Sequence, residues 1–367
     1  MSLSPRAEPR RPGKRIRVLV VDDSRTVRRR IVAALAADHE IEVVGEAADG
    51  EAAIARCEQL RPDVITLDMM MPRLSGLAVT EHVMAYFPTP ILIVSASLER
   101  GEAMRTFDAL AAGAVDVFDK PAADEAGDAW DLRLLAAVKR VARIKVITHL
   151  RRKLRPSRPE PAPEAASAGG DASRYRVIAV GASTGGPSAV ADALSPLPAS
   201  FPVPVLLVLH IGAPFAPAFA EWLGSRISLP VAIATDGEPL ARGGAPGVTL
   251  ALPDRHLVVQ QGRLRLTADP ERHSCRPSID VLFTSVAEQL GERAIGCLLT
   301  GMGRDGAEGM LALKRAGAMT IAQDEPSSVV FGMPREAIAL GAARHVLSAA
   351  AIGPTLLALS RSRREPA

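Results

Sequence analysis

Two groups of residues in this chain place reactive side chains at the ends of apolar runs. In RVIAVGASTGGPSAV (176–190), the β-branched run Val177–Val180 leads into Gly181, Ser183 and Gly185, a G-x-S-x-G spacing, and Pro187 is suited to open a helix. Glycines allow a sharp turn that lifts the serine hydroxyl clear of a sheet. The hydroxyl is a nucleophile if an imidazole takes its proton and a carboxylate orients that imidazole. A glycine-rich turn between strand and helix is equally a phosphate cradle, so the stretch alone leaves acyl chemistry and nucleotide binding both open. The second group is Asp22 and Asp23 after Val18–Val21, Asp68 after Val64–Leu67, Ser95 after Ile91–Val94, and Lys120 after Val115–Phe118. Three carboxylates converging on one point repel unless a hard cation neutralises them, and Mg²⁺ prefers oxygen ligands. Asp68 is placed to accept a phosphoryl group, with Lys120 offsetting oxygen charge and the Ser95 hydroxyl bonding the product. Singly, each aspartate is an ordinary turn residue. Five such positions together are not.

The partners of Ser183 come from two departures from a dinucleotide fingerprint. Such a site needs G-x-G-x-x-G and an acid closing the second strand. Here Ser183 stands at the middle glycine, and the strand Pro204–Leu209 ends in His210. Both departures favour acyl transfer. Asp305, in the glycine-rich turn TGMGRDGA after the apolar run Ala294–Leu299, supplies the carboxylate. His256 and His273 compete with His210 from loop settings. Asp305 also reads as the cap of the helix that follows it, and Ser183 as a hydroxyl that only steadies its turn. The order Ser, His, Asp differs from the Ser, Asp, His of ordinary α/β-hydrolases.

These positions require a strand–helix alternation. Strands at Val18–Val21, Ile41–Val44, Val64–Leu67, Ile91–Val94 and Val115–Phe118 alternate with helices capped by Ser24 or spanning Glu51–Leu60, Gly76–Tyr86 and Glu102–Ala111. The pattern predicts an α/β doubly wound parallel sheet, with functional groups at the carboxyl strand ends. A basic amphipathic stretch from Trp130 to about Leu150 is expected as the last helix. A second α/β region carries helices at Phe215–Leu223, Ile279–Leu290 and Ala307–Ala316, with short strands within Leu250–Leu266. At 367 residues and 48% hydrophobic composition the chain suits two domains. The expected division is a disordered basic arm (1–15), a first domain (16–150), a Pro/Ala/Gly-rich linker (151–174) and a second domain (175–362).

Composition narrows the function classes. The net charge of +3 is concentrated in the arm and in Arg151, Arg152, Lys153, Arg155 and Arg158, and two Tyr and two Trp offer little stacking surface. With no basic recognition helix in the second domain, nucleic acid is not an expected partner. Three widely spaced cysteines, Cys57, Cys275 and Cys297, argue against a disulfide framework and point to a reducing cytoplasm. No apolar run approaches the roughly 18 residues of a membrane span, so no membrane insertion is expected.

Residues 17 to about 121 resemble a response-regulator receiver domain through VLVVDDS, ITLDMMMP, VSAS and FDKP. The resemblance implies a flavodoxin-like sheet, phosphorylation at Asp68, Mg²⁺ held by Asp22, Asp23, Asp68 and the Met70 carbonyl, and a switch through Ser95 and Lys120. Val117 stands where receivers often carry an aromatic switch residue, with Phe118 one place later. Residues from about Tyr175 to Leu359 resemble the catalytic domain of the chemotaxis protein-glutamate methylesterases, through VIAVGASTGGP, LVLHI, SCRPSIDVLF, LLTGMGRDGAEGM and AQDEPSSVVFGMPREA. That implies a C-terminal parallel-sheet domain without a cofactor. Ser183 is its nucleophile, His210 its base and Asp305 the orienting acid. Met302 lends a backbone N–H to the oxyanion hole, and Thr184 helps hold His210. The implied partners are methyl-accepting chemotaxis receptors as substrate and a chemotaxis histidine kinase as phosphodonor, with the unphosphorylated receiver covering the Ser183 cleft. The alternative is a phospho-regulated receiver with a nucleotide-binding output module.

Overall fold

The computed structural model describes residues 14–96, 100–121, 128–144, 146, 174–240 and 246–361. The expected basic arm lies outside the described residues up to residue 13, and the expected linker up to residue 173. The chain divides into two compact units, Met1–Ala96 with Ala112–His149 and Ser97–Ala111 with Leu150–Ala367.

In the first unit, β1 (Ile16–Val21), β2 (Ile41–Ala47), β3 (Val64–Leu67), β4 (Ile91–Ser95) and β5 (Asp116–Asp119) form a sheet of order β2-β1-β3-β4-β5, parallel throughout. All four β3 residues and all five β4 residues are buried, as expected of strands covered on both faces. Helix α1 (Arg25–Ala36) begins where the Ser24 hydroxyl accepts the Val27 N–H (3.4 Å), and Asp49 and Ser75 cap α2 (Gly50–Leu60) and α3 (Gly76–Tyr86) in the same way. Helix α4 (Arg100–Ala112) follows β4 in the chain, and all of it but Ala112 is assigned to the second unit. The last helix, α5 (Asp128–Val141), is shorter than the amphipathic stretch suggests. Its face of Trp130, Leu134, Val138 and Val141 is fully buried, after which the Ile144 N–H turns back onto the Val141 carbonyl (3.0 Å). Residues 145 and 147–150 lie outside the described residues. Phe118 packs on Trp130, with ring centroids 5.7 Å apart, and belongs to this core.

The second unit holds a seven-stranded sheet of order β14-β13-β12-β6-β7-β9-β8, again parallel at every pairing. Its central strands β6 (Val177–Ala182), β7 (Val205–Leu209) and β12 (Ala294–Leu298) are buried at every residue. Strands β8 (Val231–Ile233) and β9 (Val248–Leu250) extend one edge, and β13 (Met319–Gln323) and β14 (His345–Leu347) the other. Helices α6 (Gly186–Leu194), α7 (Ala216–Arg226), α8 (Ile279–Leu290), α9 (Ala307–Arg315), α10 (Met333–Ala339) and α11 (Ala349–Ser360) complete the unit. Ile279, Leu282, Phe283 and Val286 recur at i, i+3, i+4 and i+7 on α8 and join Met310 and Leu313 of α9 in the core. The short strands expected within 250–266 include the antiparallel hairpin of β10 (His256–Gln260) and β11 (Arg263–Thr267), turned by Gln261 and Gly262, both at positive φ.

The order of strands places the chemistry. From β6 the chain passes to β7 and beyond on one side, then returns to β12 on the other. Sheets of this kind bind ligands where the order reverses, at the carboxyl ends of the strands. In the first unit that point is the ends of β1 and β3, which carry Asp22 and Asp68. In the second it is the ends of β6 and β12, which lead into Ser183 and the turn holding Asp305.

Candidate active site

Ser183 follows β6, and its N–H donates to the Thr300 carbonyl (3.0 Å) just past β12. Gly185, at φ 75°, lets the chain turn into α6; a Cβ there would stand 2.5 Å from Val329. A Cβ on Gly301 would stand 2.8 Å from the Ser183 Cβ, so only glycine allows the two turns to approach this closely. His210 follows β7, held by its N–H to the Ala182 carbonyl (3.0 Å). Its Nε2 lies 3.0 Å from Asp305 Oδ2, and its Nδ1 faces Cys275 Sγ at 3.8 Å. A carboxylate can only accept, so Nε2 carries a proton, and in the neutral ring Nδ1 keeps the lone pair. Among the described residues the Ser183 hydroxyl makes no hydrogen bond; in resting enzymes that contact commonly tightens only with substrate.

Asp305 does not cap the helix after it: the N-cap of α9 is Gly306, with no side-chain bond. It sits instead at the N-terminus of α8. Its Oδ1 accepts from the Ser278 hydroxyl (2.7 Å) and the Asp280 N–H (3.1 Å), and its Oδ2 from the Ile279 N–H (2.7 Å) besides His210. The first amides of a helix are an anion site, because they have no partner within the helix and lie at its positive end. Burial pushes the Asp305 carboxyl up, but the bonds from His210, Ser278 and Ile279 outweigh it and hold the group below the ordinary carboxylate range. Burial likewise opposes charge on His210. The adjoining Asp305 carboxylate and Cys275 sulfur outweigh it and raise the ring to about 9.

The turn beyond β12 is pinned from behind. The Thr300 N–H donates to Gln323 Oε1 (2.7 Å), and the Thr300 hydroxyl accepts the Val330 N–H (2.9 Å) and lies 3.0 Å from the Thr184 carbonyl. The Gly301 carbonyl receives the N–H groups of Gly332 (3.1 Å) and Met333 (2.9 Å). Met302, one residue on, is exposed, and no described acceptor takes its N–H. An oxyanion hole needs an amide free to donate where negative charge develops. Thr184 is buried, its carbonyl turned to Thr300. Beside Met302 opens a cleft of about 420 Å³, whose lining includes Arg304, Phe331 and Arg335.

In the first unit, Asp22, Asp23 and Asp68 each bring a carboxylate oxygen within 4.8 Å of the other two. Lys120 Nζ lies 2.8 Å from Asp68 Oδ2 and 3.1 Å from Asp22 Oδ2, yet both buried oxygens lack a well-directed hydrogen bond. Burial raises Asp68 to about 6, and Lys120 only partly offsets it; Asp22 is also raised by burial. One ammonium among three acids leaves the cluster short of positive charge, and an all-oxygen set suits Mg²⁺. The Met70 N–H donates to Asp68 Oδ1 (3.3 Å), which keeps that residue beside the cluster. Ser95 is buried at the end of β4, and its carbonyl accepts the Lys120 N–H (3.0 Å).

The structure also separates the competing histidines. His256 is no exposed loop residue: fully buried at the start of β10, it donates from Nε2 to the Pro270 carbonyl (3.1 Å) and accepts the Ser278 N–H at Nδ1 (3.1 Å). It braces the residue that braces Asp305. His273 is bound to Asp280 Oδ2 (3.0 Å) and receives Arg304 Nε at Nδ1 (3.3 Å). The reading of separate motifs missed Ser278 and Cys275 as parts of the site. A serine followed by Ile279-Asp280 and an apolar helix does carry an N-cap signal.

A model of the CheB methylesterase family matches residues 178–356, and a model of the response regulator receiver domain matches residues 18–128. The protein-glutamate methylesterase/protein-glutamine glutaminase 1 of Syntrophus aciditrophicus is 43% identical over 95% of this chain and 99% of its own length. One of Anaeromyxobacter dehalogenans, numbered 3, is 45% identical over 93% of this chain and 98% of its own. Among solved structures, the Thermotoga maritima CheB methylesterase catalytic domain is 36% identical, covers 50% of this chain and 98% of its own, and has a TM-score of 0.47.

Proposed function

The chain belongs to the CheB methylesterase family, and from that premise we propose a protein-glutamate methylesterase and protein-glutamine glutaminase controlled by phosphorylation of Asp68. The observation that carries the reading is the His210–Asp305 pair, its carboxylate fixed by three donors at the start of α8 and its histidine bonded through its backbone N–H to Ala182, next to Ser183. The Ser183 hydroxyl attacks the γ-carbonyl of a glutamate methyl ester while His210 Nδ1 takes its proton. The Met302 N–H receives the oxyanion, and Asp305 stabilises the imidazolium. His210 then returns the proton to the leaving oxygen, and methanol departs. Water, deprotonated by His210, attacks the acyl-serine; Ser183 regains its proton and free glutamate leaves. With a glutamine side chain the same steps expel ammonia. Thr184 helps to hold His210.

The domain limits are 16–150 for control and 175–362 for catalysis. Asp22, Asp23, Asp68 and the Met70 carbonyl hold Mg²⁺, which when bound neutralises phosphoryl oxygens. Asp68 is the phosphoryl acceptor, Lys120 pairs with the product, and the Ser95 hydroxyl bonds it. The substrates are methyl-accepting chemotaxis receptors, the phosphodonor is a chemotaxis histidine kinase, and the setting is the cytoplasm. Among the described residues no helix is long and apolar enough to cross a membrane. The test is methanol release from methylated receptor: the parent chain releases it, and Ser183→Ala falls about 10³-fold or more. Release by Ser183→Ala near the parent rate would refute the reading.

A further inference from the structure

The Cys275 thiol faces the one His210 atom that Asp305 leaves free. Sγ lies 3.8 Å from Nδ1, and one ligand atom from each of His210, Cys275 and Asp305 lies within 4.8 Å of the other two. Bond lengths of about 2.3 Å for Zn–S and about 2.1 Å for Zn–N place two ligands of a tetrahedral ion roughly 3.6 Å apart. The sulfur and the nitrogen therefore already stand at the separation of two ligands on one ion. The outer support that metal-bound histidines need is also built. Nε2 donates to Asp305, and three further donors hold that carboxylate, so it orients the ring as carboxylates do behind ligating imidazoles.

The turn that presents the thiol is braced as well. His273 (φ 53°) and Ser274 (φ 58°) both adopt the left-handed conformation, and Arg272 and Cys275 exchange backbone hydrogen bonds of 3.2 and 3.0 Å across them. The His273 ring is fixed between Asp280 and Arg304. Cys57 and Cys297 are buried, whereas Cys275 is partly exposed and can be reached from solvent. Sulfur with imidazole selects a borderline-soft ion over the hard Mg²⁺ of the receiver carboxylates.

We propose that Cys275 and His210 form an inhibitory Zn²⁺ site, with Sγ and Nδ1 as protein ligands and water in the remaining positions. Binding releases the thiol proton to solvent, together with the Nδ1 proton where the ring is charged, and engages the Nδ1 lone pair, the same pair that must accept the Ser183 proton. A bound ion and a working base exclude one another. The proposal rests on the esterase reading for its kinetic consequence only, since metal binding is measurable without substrate.

Two readouts on the full chain, both in excess Mg²⁺ to fill the receiver carboxylates, test it. Co²⁺ serves as the spectroscopic probe. The parent should show a thiolate-to-cobalt charge-transfer band that Cys275→Ser abolishes and that in His210→Ala requires at least about tenfold more Co²⁺. In the methanol assay, Zn²⁺ should inhibit the parent reversibly to chelator, and Cys275→Ser should need at least about tenfold more Zn²⁺, each variant being compared with its own metal-free rate. No band in the parent, a band that survives in Cys275→Ser, or equal inhibition of parent and variant would overturn the proposal. Absence of methanol release from the metal-free parent would refute the esterase reading instead, and the Co²⁺ band would still decide the site.

Discussion

Asp68 and Asp305 are both buried carboxylates just beyond the carboxyl end of a parallel strand, yet their surroundings push them in opposite directions. Asp68 lies among other acids with one lysine, and burial raises it to about 6. Asp305 accepts four hydrogen bonds, three of them from the start of α8, which hold it low despite burial. On the proposed roles, the carboxylate that takes a phosphoryl group keeps oxygens that the protein does not saturate, and its charge is left for a cation to balance. A carboxylate that must stay charged and still is saturated by its own fold. Burial is common to both, so the supply of donors is what separates the proposed reacting acid from the proposed orienting one.

The contrast breaks first at Lys120. Its replacement by Ala, or chelation of divalent cations, should abolish stimulation of methanol release by a small-molecule phosphodonor while the unstimulated rate persists; stimulation surviving both treatments would mean that Asp68 does not depend on these charges. The pH profile sharpens the other half. His210 must be neutral to accept a proton, so activity should rise with pH through about 9 and level off above it. Cys275→Ser removes one of the two groups that raise the ring, and should move the midpoint to lower pH; a midpoint that stays put would remove Cys275 from the electrostatics of the base. The smallest effect is expected at Ser278→Ala. The variant loses one hydrogen bond to a charged acceptor, worth about 1.5–3 kcal/mol, together with the hydroxyl cap of α8. It should show about a tenfold lower rate and a lower unfolding midpoint, read by assay and by thermal melt.

Much of this was legible in the chain because the signals are local. Ser24 announces its helix, the apolar runs of β3, β4, β6, β7 and β12 are continuous because both faces are covered, and the G-x-S-x-G turn locates Ser183. The donors of Asp305 were hidden for the opposite reason. Ser278, Ile279 and Asp280 lie 25 to 27 positions before it and reach it only because α8 and β12 fold back together. The turn after Asp305 suggested a cap for the next helix, and the structure gives the carboxylate to the preceding one. His256 read as a loop residue because its two bonds, to Pro270 and Ser278, are also formed by the tertiary fold. Strands β8, β9 and β14, outside the centre of the sheet, are only three residues long, too few to display a period.

The difference between the two carboxylates is measured most directly by methanol release from methylated receptor, with and without phosphodonor, for Asp305→Asn and Asp68→Asn. Asp305→Asn should fall about 10²–10⁴-fold under both conditions, because the amide no longer holds His210 with Nδ1 ready to accept. Asp68→Asn should keep the unstimulated parent rate and show no response to phosphodonor. An Asp305→Asn variant within a few-fold of the parent, or an Asp68→Asn variant that phosphodonor still stimulates, would contradict the assignment of catalysis to one carboxylate and control to the other.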